Sequence, residues 1–220
     1  LAAPLRVRAS VPADAVVVDE AKQHALSVAW LLLNRVTCEP LEDFALAVAA
    51  NLMLSGPQAA FYKPLVASGL GSGLAAGTGY DSSRRESSFA VGLKNVAEAD
   101  LPEVEARIDA TVRRLAREGF PRDHVDAVVH QIELGAREVS PSFGLGVGLS
   151  CMGFWLQGGD PLRPLRYAEL AAELTRRLDA EPRYWQTLLT ARLLDNPHRV
   201  TLVAEADAEY DAKLQAAEEA

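Results

Sequence analysis

Along the chain the spacing of apolar positions changes several times, and each change marks an element. Ala25–Leu33 reads ALSVAWLLL, apolar on both faces, as a strand covered on both sides should be. Ala15–Val18 reads as a shorter strand before it. After Pro40, the residues Leu41, Phe44, Ala45, Val48 and Leu52 recur at helical spacing until Ser55-Gly56-Pro57 breaks the pattern. A short helix over Ala59–Ala67 is expected to end at Ser68-Gly69. The glycine-rich run that follows fits a strand over Gly73–Tyr80, and Glu86–Asn95 a second, with Phe89, Val91 and Leu93 alternating against Ser88, Ala90 and Gly92. Asp100-Leu101-Pro102-Glu103 resembles a capping box opening a helix with Val104, Ile108, Val112 and Leu115 on one face, ended by Gly119. Further helices are predicted from near Pro121, over Phe143–Leu156, over Leu162–Asp179 and over Pro182–Leu194. A strand at Arg199–Ala204 and a charged helix at Ala208–Ala220 complete the chain. The first dozen residues show no clear period.

Strands in this order come in adjacent pairs without helical crossovers. That predicts an α+β fold, an antiparallel sheet with helices packed on it, and argues against a doubly wound parallel sheet. With no internal repeat or linker, residues 1–206 read as one domain and 207–220 as a trailing helix.

Composition narrows the function. The 220 residues are 49% hydrophobic and 24% charged, with a net charge of −8. An acidic chain without a basic cluster is a poor nucleic-acid binder, because phosphate contacts supply most of that affinity. No stretch reaches the ~20 apolar residues that a bilayer span needs, and no basic amphipathic helix suggests a membrane surface. Cys38 and Cys151 form no CxxC and read as reduced packing residues. The chain opens on Leu1 with no charged-then-apolar leader, as expected of a piece of a longer polypeptide.

Candidate chemistry is sparse. His130-Gln131-Ile132-Glu133-Leu134 approaches the H-x-x-E-H motif of inverted zinc peptidases, but leucine stands where the second histidine belongs. His124 is six positions earlier, about 240° around a helix, and cannot replace it. Gly69-Leu70-Gly71-Ser72-Gly73 follows a helix and precedes a strand, the reverse of a phosphate-binding loop. There is no G-x-S-x-G, so no catalytic residue and no metal ligand is assigned. The four glycines of the Phe143–Leu156 helix (Gly144, Gly146, Gly148, Gly153) are expected to allow close approach of another helix or the sheet, since each costs roughly 1 kcal/mol in a helix.

Several segments in one order carry a resemblance. They are Ser55-Gly56-Pro57, Phe61-Tyr62-Lys63-Pro64-Leu65, Ser68-Gly69-Leu70-Gly71 and Phe89-Ala90-Val91-Gly92-Leu93. Ile108-Asp109, Gly119-Phe120, His130-Gln131-Ile132-Glu133, Ser142-Phe143-Gly144-Leu145 and Gly159-Asp160-Pro161 follow. Together they resemble the M16 (pitrilysin/insulinase-like, inverzincin) zinc metallopeptidases, and within them the presequence-protease-like branch. The resemblance runs from about residue 22 to 220 and leaves residues 1–10 unplaced. The resemblance is to the second, non-catalytic domain, which lacks H-x-x-E-H. It implies that zinc is bound by another domain of the same polypeptide, that partners are those other domains and peptide substrates, and that the whole degrades short unstructured peptides in a closed chamber. It further implies a bacterial cytoplasmic location, or the mitochondrial matrix in a eukaryote. By resemblance to the related insulin-degrading branch, the turn Ser55, Gly56, Pro57 and the strand Leu74, Ala75, Ala76, Gly77, Thr78, Gly79 are expected to form a substrate exosite, the other reading being a glycine-tolerant strand packed under a neighbouring helix. The small side chains of that strand agree with β-addition of an extended peptide. The alternative is a structural or partner subunit of the same fold, as in the core proteins of a respiratory complex.

Overall fold

The computed structural model describes residues 1–13, 21–139 and 141–218. Among the described residues six strands form one sheet: β1 (Leu5–Pro12), β2 (His24–Asn34), β3 (Gly73–Leu74), β4 (Gly79–Asp81), β5 (Glu86–Val96) and β6 (Arg199–Asp207). Their order is β1-β6-β2-β5-β3, with β4 also pairing with β5. The helices are α1 (Pro40–Leu54), α2 (Leu101–Glu118), α3 (Arg122–Arg137), α4 (Phe143–Leu156), α5 (Tyr167–Ala180), α6 (Tyr184–Leu189) and α7 (Tyr210–Glu218). Single π-type turns lie at Tyr62–Val66 and Thr190–Leu194, the second continuing α6.

The α+β class is as expected, and every strand pair but one is antiparallel. The exception is β1, which runs parallel to β6 with Leu5 beside Val200 and Pro12 beside Asp207. The sheet is therefore mixed. Its parallel pair escapes the adjacency argument because β1 pairs with the last strand of the chain, not with the next one. Leu5, Val7, Ala9 and Val11 do alternate with polar residues, so the start of the chain has a period after all. The strand expected at Ala15–Val18 lies outside the described residues.

One face of the sheet carries the core. Leu26, Val28 and Trp30 of β2, Phe89, Val91 and Leu93 of β5, and Val203 of β6 are buried there. Trp30 and Phe89 stack with ring centroids 6.0 Å apart. Onto this face α2 places Val104, Ile108, Val112 and Leu115, while α6 and its continuation add Leu189 and Leu193. The arrangement follows from the period-3.6 stripe of α2 meeting the period-2 stripe of the strands. Helix α1 lies beside β4 and supports α3 and α5. The other face of the sheet carries Ala25, Ser27, Ala29 and Leu31 of β2, with Ser88, Ala90 and Lys94 of β5 and Val200, Leu202 and Ala204 of β6. No helix of the described residues covers it, and Leu31 and Leu202 are exposed.

Three local expectations are corrected. Asp100 does not cap α2: Glu98–Asp100 already turns as a 3₁₀ helix, so Asp100 sits at φ −92°, ψ −10° with no side-chain hydrogen bond to the helix. The strand expected over Gly73–Tyr80 is two short strands separated by a turn. And the glycines of α4 meet nothing: a Cβ built on Gly144, Gly146, Gly148 or Gly153 has no atom within 4 Å.

Candidate functional site

The exosite residues expected from the sequence lie along the sheet edge that ends in β3 and β4. Both strands pair with β5 on one side only: Gly73–Leu74 opposite Lys94 and Leu93, Gly79–Asp81 opposite Ala90, Phe89 and Ser88. Between them the backbone leaves the sheet. Ala75 N–H still donates to the Gly92 carbonyl at 3.0 Å, then Thr78 N–H donates back to the Ala75 carbonyl at 3.2 Å. That closes a tight turn with Ala76 and Gly77 at its tip. Gly77 has φ +77°, which an L side chain rarely adopts, so glycine is what permits the turn. The expected continuous strand is thus interrupted by a bulge: Leu74 faces Leu93 and Gly79 faces Ala90, so the four residues between them loop out opposite two of β5 while the direction of the edge is unchanged.

The nine candidate residues consequently divide. Ser55 at the end of α1, with Thr78 and Gly79, lines one cleft of about 370 Å³ whose other walls are Ala47, Ala50, Asn51 and Leu54 of α1 and Tyr80 and Ser82 beyond the turn. The Thr78 hydroxyl is buried and has no hydrogen-bond partner. Gly56 is exposed in the turn after α1, and Pro57 lines a separate cleft with Phe120, Arg114 and His124. Leu74 packs against the core and Ala75 is buried, so neither side chain faces a ligand. Ala76 and Gly77 stand exposed at the turn tip.

The cleft continues past Ala47, Tyr80 and Ser82 into a smaller one of about 160 Å³ that the sequence reading missed. At its base Asp43 of α1 receives Arg35 Nε at 3.1 Å and lies 3.5 Å from Arg163 Nη2, and it accepts the Tyr80 hydroxyl. Arg35 also donates to the Ser82 carbonyl, and Arg163 to the Arg35 carbonyl. Both guanidinium groups lie over the Phe154 ring, 4.7 and 5.1 Å from its centroid. Desolvation, then the Asp43 carboxylate, push the Tyr80 phenol well above its ordinary value, so it stays a donor. This network ties β4 to α1 and to the end of α4, and so fixes the width of the groove. One signal pointed to it: Asp43 is an acid on the otherwise apolar buried side of α1.

Nothing in this groove supplies a nucleophile with its base. His130 and Glu133 share a turn of α3 with exposed Leu134, and two candidate ligands do not make a zinc site, which needs at least three that converge. No group of three or more His, Cys, Asp or Glu residues that could hold a metal occurs among the described residues. The described residues therefore do not supply the converging ligands that zinc requires. No helix among the described residues is long and apolar enough to cross a membrane.

Among the described residues, helices packed on one face of a six-stranded sheet make an α+β domain, and no catalytic constellation is found among them. The family model for the Peptidase M16 inactive domain matches residues 4–132, and the chain belongs to that family. It is 33% identical over 206 residues to the mitochondrial presequence protease of Danio rerio, covering 94% of this chain and 20% of that protein. To the Mus musculus presequence protease it is 32% identical over 200 residues, covering 91% and 19%. The chain thus spans about a fifth of the length of the curated relatives it matches. Among solved structures, an inactive peptidase domain from Bordetella parapertussis superposes with a TM-score of 0.67 at 15% identity, covering 84% of this chain and 92% of that one. A protease from Helicobacter pylori gives 0.67 at 12% identity, covering 93% and 44%. At those identities the likeness is of fold alone.

Proposed function

We propose that this chain is the non-catalytic domain of an M16-type zinc metallopeptidase that degrades short unstructured peptides. In this reading the domain forms chamber wall with its open sheet face and anchors substrate in the groove between α1 and β4. Zinc and the catalytic base belong to another domain of the same polypeptide. The turn after α1 and the Thr78–Tyr80 segment serve as exosite. Residues 1–206 act as one structural unit, with the trailing helix leading to the next part of the polypeptide. The relatives are mitochondrial by name, which supports a matrix location if the source is a eukaryote; a bacterial enzyme of this kind would be cytoplasmic.

The observation that carries the reading is the groove itself, where Ser55 and Thr78–Gly79 come together from distant parts of the chain beside a sheet edge with which no strand of the described residues pairs. Free N–H and C=O groups there can pair with an extended backbone of any sequence. The open face adds small and apolar side chains with few charges, suited to confining peptides without selecting among them. The turn tip changes how the exosite is probed. Ala76 follows the first residue of a turn, where proline fits, so proline there is a weak perturbation. Ala47 lines both parts of the groove and is only partly buried. In the full-length enzyme Ala47→Tyr should fill the groove, raising KM for peptides long enough to reach from the zinc to the exosite and sparing very short ones. Equal losses for both lengths, or none for either with the fold intact, refute the exosite. The coding frame tests the broader reading: H-x-x-E-H upstream supports it, and its absence favours the partner-subunit alternative.

A further inference from the structure

Helix α4 is the least explained element of the fold. Its fourteen residues, FGLGVGLSCMGFWL, contain no charge, yet Phe154 is its only buried residue. Trp155 is 67% and Leu156 77% exposed, and Leu145, Leu149 and Met152 are also open to solvent. At about 100° per residue, Leu145, Leu149, Met152 and Leu156 fall on one line, opposite the side that carries Phe154. Gly144 and Gly148 flank that ridge on one side, Gly146 and Gly153 on the other. These glycines are not required by the backbone, since none has a left-handed φ, nor by packing among the described residues, since no atom of these comes within 4 Å of their Cβ positions. Glycine weakens a helix interior, and four in one helix gain no packing contact among the described residues.

We infer that the leucine ridge of α4, with its two glycine-floored channels, is the docking surface for a helix from another domain of the same polypeptide. That helix presents bulky apolar side chains and no central charge. Ridges of large side chains seat in grooves, and glycine lets the helix axes approach closely. Three observations favour this occupant. The presequence-protease relatives are about five times as long as the matched region, so in a protein of that length ample chain is available to cover the face. A tethered domain is present at an effective concentration in the millimolar range, above what a second copy reaches in solution. A membrane surface fits less well, because a helix lying in the interface needs a charged face and α4 has none. The surface also adjoins the groove, since Phe154 on its opposite side is the ring beneath Arg35 and Arg163. Docking at α4 would therefore bear directly on the groove floor.

The inference rests on the reading of this chain as one domain of a longer peptidase, and its test separates the two. Of the three tryptophans, Trp30 and Trp185 are buried, so Trp155 is the one a collisional quencher reaches. Acrylamide quenching attributable to Trp155 is obtained by subtracting a Trp155→Phe variant, in the 220-residue chain and in the full-length protein. The expected result is strong quenching in the chain, a several-fold smaller quenching constant in the full-length protein, and its restoration there by Gly148→Leu. The same Gly148→Leu should leave the isolated chain as stable as before or more stable, because its side chain enters open space. Equal quenching of Trp155 in both proteins overturns the inference even where the coding frame encodes a complete peptidase. So does protection in the isolated chain that is lost on dilution, which assigns the face to a second copy. A coding frame with no further domain overturns the reading beneath it instead.

Discussion

Replacing Asp43 by asparagine removes the charge that two arginines share while keeping the shape of the side chain. Arg35 and Arg163 lie over the same Phe154 ring, so two positive groups are held close together, and Asp43 is the carboxylate between them. The three side chains are only 10–15% exposed, and water cannot replace the lost charge. Removing one partner of a buried ion pair costs ~3–5 kcal/mol, because the remaining charge stays desolvated. For a domain of this size 1 kcal/mol moves the thermal midpoint by roughly 2–4 °C, so even the lower bound of ~3 kcal/mol predicts a fall of roughly 6–12 °C. Thermal and urea denaturation of the chain read this directly. Adding Arg163→Met to Asp43→Asn should recover part of the loss, since one of the stranded charges goes with it; that positive coupling distinguishes charge imbalance from simple disruption of α1. A midpoint for Asp43→Asn within about 2 °C of the wild type would mean that the cluster is solvated and does not hold β4 in place.

Two further substitutions test the sheet and the helix layer. A Cβ at Gly92 would overlap the Leu26 carbonyl oxygen and come within 2.6 Å of Ser27 Oγ, atoms of the neighbouring central strand. Gly92→Ala should therefore destabilise by ~1–3 kcal/mol, and an unchanged urea midpoint would show that β2 and β5 can move apart freely. The Tyr184 phenol is pushed up to about 12 by burial and then by the Glu42 carboxylate, against 10.0 for a free tyrosine. A folded value raised in this way gives stability that is complete below the unfolded value and is lost as pH rises through the folded one, so the midpoint should fall between pH 10.0 and about 12. Tyr184→Phe should make that fall shallower; an identical profile assigns the alkaline loss to other groups.

The local periods of the chain determined much of the fold. β2, β5, α1, α2 and α3 begin and end within a few residues of where the pattern of apolar positions puts them. Each buries one face or stripe against the same core, and burial of a regular element imposes its own period on the sequence. The lack of a second histidine after Glu133 was equally plain, as was the resemblance to an inactive M16 domain, because both depend on residue identity in order. Tertiary structure decided what depends on meetings between distant segments. β1 has a readable alternation but leaves its residues largely exposed, and only its pairing with β6 from the far end of the chain makes it a strand of the sheet. The turn at Ala75–Thr78 looks like strand in sequence because small residues suit both, and the positive φ of Gly77 decides between them. The groove needs α1 laid beside β4, and its floor needs Arg35, Asp43, Tyr80, Phe154 and Arg163 from five separate places in the chain. A charged residue carries no mark of its future partner, so such a cluster is invisible until the backbone brings its members within hydrogen-bond range. The glycines of α4 show the same limit one level up: their spacing is legible, but no described residue of the chain packs against them.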